Sequence, residues 1–489
     1  MKFKIGISFL LLLTGSRSFA QTSQPLLGLD SFADSVLKTF HVAGFAVAVV
    51  KNSRVIYAKG FGYRDVEKKL PVTERTVFPI ASCTKAFTAS LLGVLSAEGK
   101  LDLDQPVRKY MPELRFLNDY TTDHVTSMDM LTHRTGLPRH DQLEYFFDKS
   151  LPRDSLVYRI RYLEPTTELR YRVQYNNLMY ITLGVLSEKL TGLSWEQNIQ
   201  KRLLTPLQMN ESSFNYAGWL ASPEHALGYY RKNNLMMSGN PDDDPLNGPA
   251  GGLNASVNDL AKWLIAWIGG GKYQDNQVIP AAFISQATRP QMVNGNSTYG
   301  LGWVLTTFRG GHYKVDHGGD LPLFSSSVCF FPNQADSLGI VVLANQFGGY
   351  VTGLVRDYIA DCLLNSSRPD LKPVDWFGQY QKMYDADHQP DPPKPAASKP
   401  VAALSHTITA YTGKYLNPGY GTIQIGQQAD SLAGIFNKTP LSLRHFDADI
   451  FVAKPGGKLT FQADGNGGIG SIAMHLEENV KPIIFVRIK

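Results

Sequence analysis

Apolar and polar positions follow three successive regimes along this chain. Near the N-terminus, Phe45 to Lys51 and Arg54 to Tyr63 are apolar, β-branched runs separated by Asn52-Ser53. That pattern predicts a β-hairpin. Phe87, Leu91, Val94 and Leu95 then recur at helical spacing, and Gly99 supplies a stop. The middle of the chain reads as helix-rich with long loops. There, Leu178, Ile181, Val185 and Leu186 mark one face of a helix starting at Asn177, which Thr191-Gly192 ends. Asp259 to Ile268 predicts another, after the Gly251-Gly252 turn. Strand signals return at 312–317, 323–331 and 338–344, with a turn at Pro332-Asn333.

Strands at both ends with helices between predict one α+β domain over residues 21–385. Its antiparallel sheet is flanked by helices and interrupted by a helical insertion, because short turns join the consecutive strands. Residues 386–402 carry five prolines and two lysines and predict an extended linker. Residues 403–489 alternate in short runs: Thr422–Ile425, Leu441–Arg444, Lys458–Gln462, Ile472–His475 and Ile483–Ile488. That pattern predicts a small all-β domain, a barrel or sandwich. Gly465-x-Gly467-x-x-Gly470 matches a dinucleotide fingerprint in letters only, lacks a βαβ context, and reads as a glycine-rich turn.

Composition changes the picture in three ways. Lys2 and Lys4 precede the apolar run Ile5–Leu13, and Ser18-Phe19-Ala20 is a small-x-small cleavage site. Residues 1–20 therefore read as a signal peptide cut near Ala20, giving an exported protein; a retained anchor is the other reading. No later segment is apolar and long enough to span a bilayer. The formal charge of +5 falls to +2 without residues 1–20, and no basic stripe interleaves with aromatics, so nucleic acid is not expected as a partner. Three cysteines, Cys83, Cys329 and Cys362, make no disulfide framework.

Candidate chemistry begins at Ser82-Cys83-Thr84-Lys85. A serine hydroxyl needs a base to take its proton. A lysine one helical turn on lies on the same face and reaches it. The helix N-terminus leaves backbone N–H groups free to bind an oxyanion. Ser35-Val36-Leu37-Lys38 fits the same spacing but sits in an amphipathic segment, where Lys38 reads as a solvated residue. Cys83 faces away from the Ser82–Lys85 side of the helix. Tyr175-Asn176-Asn177 precedes a helix: a phenol near a lysine can act as base or proton relay, and Asn177 offers a donor and an acceptor to a substrate amide. Either asparagine also suits a helix cap. Tyr415-Leu416-Asn417 repeats the pattern with no Ser-x-x-Lys near it. His317-Gly318-Gly319 follows a strand; its glycines allow close approach of a ligand to the backbone, and an edge strand there can pair with an extended substrate. The spacing of His124, His133 and His140 fits no common metal motif, and Asp242-Asp243-Asp244 reads as a solvated loop.

The order of these motifs resembles the serine β-lactamase and penicillin-binding-protein superfamily, in particular the class C-like group of β-lactamase-related hydrolases. The resemblance spans about residues 30–365. Phe78 to Lys85 resembles the nucleophile segment, and Met130-Leu131-Thr132-His133-Arg134-Thr135-Gly136-Leu137 the leucine–threonine–histidine–glycine turn. Tyr175-Asn176-Asn177, Pro206-Leu207-Gln208-Met209, Ala250-Gly251-Gly252-Leu253, Tyr299-Gly300-Leu301-Gly302-Trp303 and His317-Gly318-Gly319 follow in the family's order. The tail resembles the small lipocalin-like β-barrel appended to some of these hydrolases.

The resemblance implies an acyl-enzyme on Ser82, with Lys85 and Tyr175 sharing base and acid duties. It implies that Asn177 lies near the acyl group, that His317, Gly318 and Gly319 bind substrate, and that the N–H groups of Ser82 and Asp320 form the oxyanion hole. Water then releases the acyl group, and no metal or organic cofactor is called for. Many relatives carry lysine where this chain has His317. Histidine is largely neutral at pH 7, which shifts the expectation from β-lactams toward a small-molecule or peptide amide or ester, as in D-aminopeptidases, amidases and esterases. A β-lactamase or D,D-peptidase, and a non-catalytic binding or sensor protein, are the rival readings. Specificity is expected from loops near 138–165 and 215–250.

Overall fold

The computed structural model describes residues 26–232, 235–332, 336–389 and 402–488. The leader expected at 1–20, Asn333 of the expected turn, and most of the linker expected at 386–402 lie outside the described residues.

The expected hairpin forms from β1 (Gly44–Lys51) and β2 (Arg54–Asp65). Asn52 and Ser53 both adopt positive φ, as a two-residue hairpin turn requires. β3 (Leu70–Pro71) pairs with β2 at one edge. From the C-terminal half come β4 (Met292–Asn294), β5 (Ser297–Tyr299), β6 (Val304–Phe308), β7 (His312–Leu321), β8 (Phe324–Phe331) and β9 (Leu338–Ala344). They continue the same antiparallel sheet in the order β4-β5-β6-β7-β8-β9-β1-β2-β3. β1 joins the two halves by pairing with β9, Phe45 opposite Ala344 and Val50 opposite Gly339.

The period of two along β1 divides the core. Phe45, Val47 and Val49 face one layer with α1 (Leu29–Thr39), while Ala46, Ala48 and Val50 face the other. The first layer also contains α6 (Tyr350–Leu364) and α7 (Trp376–Asp387). Part of the segment expected as linker is therefore helical, since α7 runs to Asp387. The second layer holds α2 (Thr84–Ala97), α5 (Val257–Ile268) and the helical insertion. The insertion includes α3 (Asp141–Phe146) and α4 (Asn177–Thr191). Gly192 ends α4 with φ 71°, the left-handed C-cap that glycine takes without steric cost.

One strand runs past its expected end. β7 continues through Gly318 and Gly319 to Leu321 instead of stopping near residue 317. A Cβ at Gly319 would lie 2.3 Å from the Ile80 carbonyl oxygen and 3.0 Å from Ala81 Cβ. The glycine marks a close backbone approach inside a strand.

The C-terminal segment closes into an eight-stranded barrel: β10 (Gly413–Asn417), β11 (Gly421–Gln428), β12 (Ser431–Phe436), β13 (Thr439–Asp447), β14 (Ile450–Lys454), β15 (Gly457–Ala463), β16 (Ile469–Met474) and β17 (Ile483–Ile488). Tyr411, Tyr415, Phe451 and Phe461 pack edge to face within it. Gly465 and Gly467 stand in a turn, with Asp464 accepting from the N–H groups of Asn466 and Gly468, and Gly470 lies at the start of β16.

The barrel packs against the insertion at α3. Phe146 stacks on Phe436 with ring centroids 4.3 Å apart. Asn437 donates to the Phe146 carbonyl at 2.8 Å, and Lys438 pairs with Asp148. Tyr420 lies 2.7 Å from His140 Nδ1 and donates to Glu477, which also accepts from the Gln142 N–H.

Candidate active site

Ser82 stands in a short 3-10 turn, Ala81–Cys83, that leads directly into α2. Ala81 is forced to φ 47°, an uncommon conformation for a residue with a side chain. β7 backs the turn, because Gly319 lets it approach Ile80 and Ala81. Ser82 is partly exposed, whereas Lys85 is fully buried.

Lys85 makes three contacts. Its Nζ lies 3.1 Å from Ser82 Oγ, 2.8 Å from Asn177 Oδ1 and 2.9 Å from the Ala250 carbonyl oxygen. Burial lowers its pKa to about 7, against the opposing pull of the Glu144 carboxyl. A neutral amine donates two hydrogens and keeps one lone pair. Asn177 and Ala250 are pure acceptors toward it, so that lone pair is directed at the Ser82 hydroxyl.

Tyr175 closes the other side. Lys85 Nζ lies 4.8 Å from the centre of its ring. Burial raises the phenol pKa, with the neighbouring Ser82 hydroxyl pulling the other way. Tyr175 therefore remains protonated near neutral pH. His133 supports it: its ring lies 4.3 Å from that of Tyr175, and its carbonyl accepts from the Gln174 N–H. Asn176 and Asn177 divide the two expected tasks. Asn176 caps α4 by accepting from the Met179 N–H and donates to the Pro138 carbonyl, while Asn177 reaches Lys85.

His317 is buried with both ring nitrogens engaged inside the protein. Nε2 lies 2.9 Å from the Tyr299 hydroxyl and Nδ1 lies 2.6 Å from the Gly318 carbonyl. Burial, then the charge of Lys85, lowers its pKa to about 4. It supplies neither a cation nor a free nitrogen for a substrate carboxylate. Gly318 is exposed and Gly319 buried. The ladder between β6 and β7 ends at Asp316, so residues 317–321 have a free edge. Leu321 and Phe324 flank a two-residue turn, and pairing alternates from there along β7. That alternation turns the Asp320 N–H outward to the free edge, next to the Ser82 turn.

The remaining candidates separate from this group. Cys83 Sγ points away, 3.1 Å from the His317 carbonyl and 3.2 Å from Ser326 Oγ, and burial pushes its thiol up to about 12. Ser35 is exposed and bonds the Ser31 carbonyl in α1. Tyr415 bonds the Tyr411 carbonyl inside the barrel. His124 is exposed, and His140 sits at the barrel contact. Among the described residues no group of three His, Cys, Asp or Glu side chains could hold a metal ion.

Three contributors escaped the sequence reading. Arg139 lies with its guanidinium 5.3 Å from the Tyr175 ring centre, at the exposed mouth. Glu144, buried on α3, acts on Lys85 and has one carboxyl oxygen without a partner. The Ala250 carbonyl orients Lys85. The only available signal was position: Arg139 follows the Thr135-Gly136-Leu137 turn, and Ala250 opens the Gly251-Gly252 segment.

A family model described as Beta-lactamase matches residues 29–364, and one for a domain of unknown function, DUF3471, matches residues 397–487. Protein flp of Staphylococcus aureus (strain NCTC 8325 / PS 47) is 28% identical over 338 residues, covering 67% of this chain and 64% of that protein. The chain thus spans less than two thirds of that relative's length. Unguisins hydrolase ungD' of Aspergillus campestris is 27% identical over 425 residues, covering 81% of this chain and 77% of that protein. The octameric penicillin-binding protein homologue from Pyrococcus abyssi superposes with a TM-score of 0.63 at 23% identity, covering 94% of this chain and 99% of that one. That likeness concerns the fold. With the family model spanning more than half of its length, this chain belongs to the beta-lactamase family, within the serine β-lactamase and penicillin-binding-protein superfamily.

Proposed function

We propose that this protein is an exported serine hydrolase that forms an acyl-enzyme on Ser82 and acts on an amide, peptide or ester. The observation that carries the reading is the buried Lys85 amine, 3.1 Å from Ser82 Oγ with its pKa lowered to about 7. Such an amine is unprotonated in a large fraction of molecules at neutral pH and can serve as general base.

In this scheme Lys85 takes the Ser82 proton as Oγ attacks the substrate carbonyl carbon. The carbonyl oxygen becomes an oxyanion held by the N–H groups of Ser82 and Asp320. The carbon–heteroatom bond then breaks. Tyr175, protonated at rest, passes its proton to the leaving nitrogen or oxygen as it takes one from the Lys85 ammonium. Water attacks the ester with Lys85 again as base, releasing the acid and restoring Ser82. Asn177 holds Lys85 in place, and the free edge at Gly318 and Gly319 aligns the substrate backbone. His317 supports Tyr299 and Gly318 rather than binding charge.

The engaged, neutral His317 supports amide or ester substrates over β-lactams that depend on a fixed cation. Turnover of a nitrophenyl ester, a D-alanine anilide and a cephalosporin by wild type and Ser82→Ala tests this. Ser82-dependent turnover of the ester or anilide is expected. A cephalosporin preference would favour the β-lactamase reading, and identical behaviour of the two proteins would favour the binding-protein reading.

A further inference from the structure

α3 has only six residues, too few to be stable on its own hydrogen bonds. Its N-cap residue, His140, offers the first turn no side-chain acceptor. A capping side chain normally accepts from the N–H of the second or third helical residue. Here that acceptor comes from the barrel: Glu477 Oε1 takes the Gln142 N–H at 3.0 Å. The Tyr420 hydroxyl donates to the same oxygen at 3.1 Å and lies 2.7 Å from His140 Nδ1. The far end of α3 is held from the barrel as well, through the Phe146–Phe436 stack and the bond from Asn437 to the Phe146 carbonyl.

The held segment leads directly to the catalytic groups. Asp141 accepts from Arg139 Nε at 2.6 Å, and the Arg139 guanidinium stands 5.3 Å from the Tyr175 ring centre. The Pro138 carbonyl accepts from Asn176, the cap of α4, and the next residue, Asn177, holds Lys85. Glu144, on the following turn of α3, is buried and its carboxyl acts on Lys85. The segment's own side chains do little to fix it: His140 Nε2, Asp141 Oδ1 and Glu144 Oε1 are buried without partners.

We infer that the C-terminal barrel supplies positioning residues to the active site: Tyr420 and Glu477 cap α3 from outside the helix and so hold Arg139 against Tyr175 and Glu144 near Lys85. The barrel is then a working part of the hydrolase domain rather than an appended module. The inference rests on the serine-hydrolase reading for its effect on acylation, but the clamp itself can be measured without turnover.

The test uses full-length proteins. Tyr420→Phe/Glu477→Ala removes the external cap, whereas Glu477→Gln keeps an acceptor in the same place. Arg487→Met loosens the barrel away from α3, since Arg487 donates to the carbonyls of Ala410, Thr412 and Ile469. Two quantities are read: hydrogen–deuterium exchange of the peptide spanning residues 139–147, and the burst rate of acylation by a nitrophenyl ester. The double variant should exchange that peptide about tenfold faster and acylate about tenfold more slowly. Glu477→Gln and Arg487→Met should stay within about twofold of wild type on both readouts. Thermal melts establish folding, and Tyr420→Phe alone, a milder change, should give intermediate values if the double variant does not fold. Unchanged exchange in the folded variants, faster exchange with unchanged acylation, or an equal loss in Arg487→Met would overturn the clamp. A failed hydrolase reading gives a different result: wild type itself then shows no burst, and the exchange of residues 139–147 alone decides whether the barrel holds α3.

Discussion

The Asn177 side-chain oxygen accepts a hydrogen bond from Lys85 Nζ at 2.8 Å. With the Ala250 carbonyl at 2.9 Å, it takes two directions of the amine and leaves the third for Ser82. Asn177→Asp would place a carboxylate in that contact and raise the Lys85 pKa. The acid limb of the kcat/KM profile should move upward by about one pH unit or more. An unmoved limb would mean that Lys85 is not the group titrating.

In the unmodified protein the same lysine fixes the sign of the pH dependence. A lysine acts as base only without its proton, and burial lowers its pKa to about 7. Activity should therefore rise with pH through about 7, as pH–rate measurements on a nitrophenyl ester would show. Lys85→Met should lower kcat/KM by about 10²–10⁴-fold.

Tyr175 is held protonated by burial, so it titrates above the working range. Tyr175→Phe should slow acylation by about 10²–10³-fold without moving the acid limb. A shift of that limb in Tyr175→Phe would assign the base to the phenol instead.

His317 is buried, with its pKa lowered to about 4 by burial and then by Lys85. Binding of an acidic substrate analogue should gain no His317-dependent term between pH 5 and 8. Nitrogen-15 NMR of the imidazole should show a neutral ring across that range. Affinity falling as pH rises through a histidine titration would restore the carboxylate-binding role.

The barrel contact has its own pH signature. Burial raises the Glu477 carboxyl to about 7, although it accepts from Tyr420 and Gln142. A carboxyl whose folded pKa lies above its unfolded one adds stability at low pH and loses it as pH rises. Between its ordinary value of 4.5 and about 7, wild type should lose stability relative to Glu477→Gln, by at most ~1.4 kcal/mol per pH unit. Chemical denaturation across that range checks the slope.

Much of this arrangement is legible in the sequence. The Ser82–Lys85 spacing needs only one helical turn, so local geometry decides it. The division of labour between Asn176 and Asn177 was not legible, because both suit a helix start and only the tertiary placement of Lys85 separates them. Gly318 and Gly319 read as a strand end because glycine weakens strands. The need for close contact at Gly319 comes from Ile80 and Ala81, 239 and 238 residues earlier in the sequence. Strands β10, β12 and β14 of the barrel give no clear sequence signal: they are five or six residues long and include lysine, glycine or alanine. Asp242 and Asp243 are exposed, as a solvated loop implies, whereas Asp244 is half-buried beside Asn247 and Trp219, a placement that only tertiary structure decides.

The most direct test is rapid-quench intact-mass analysis of wild type and Ser82→Ala mixed with a nitrophenyl acetate, followed by peptide mapping. Acylation at Ser82 predicts a transient mass increase of one acetyl group, located on the peptide carrying Ser82 and absent from Ser82→Ala. The same adduct on both proteins, or an acetyl group mapped to another residue while the ester is turned over, would contradict it.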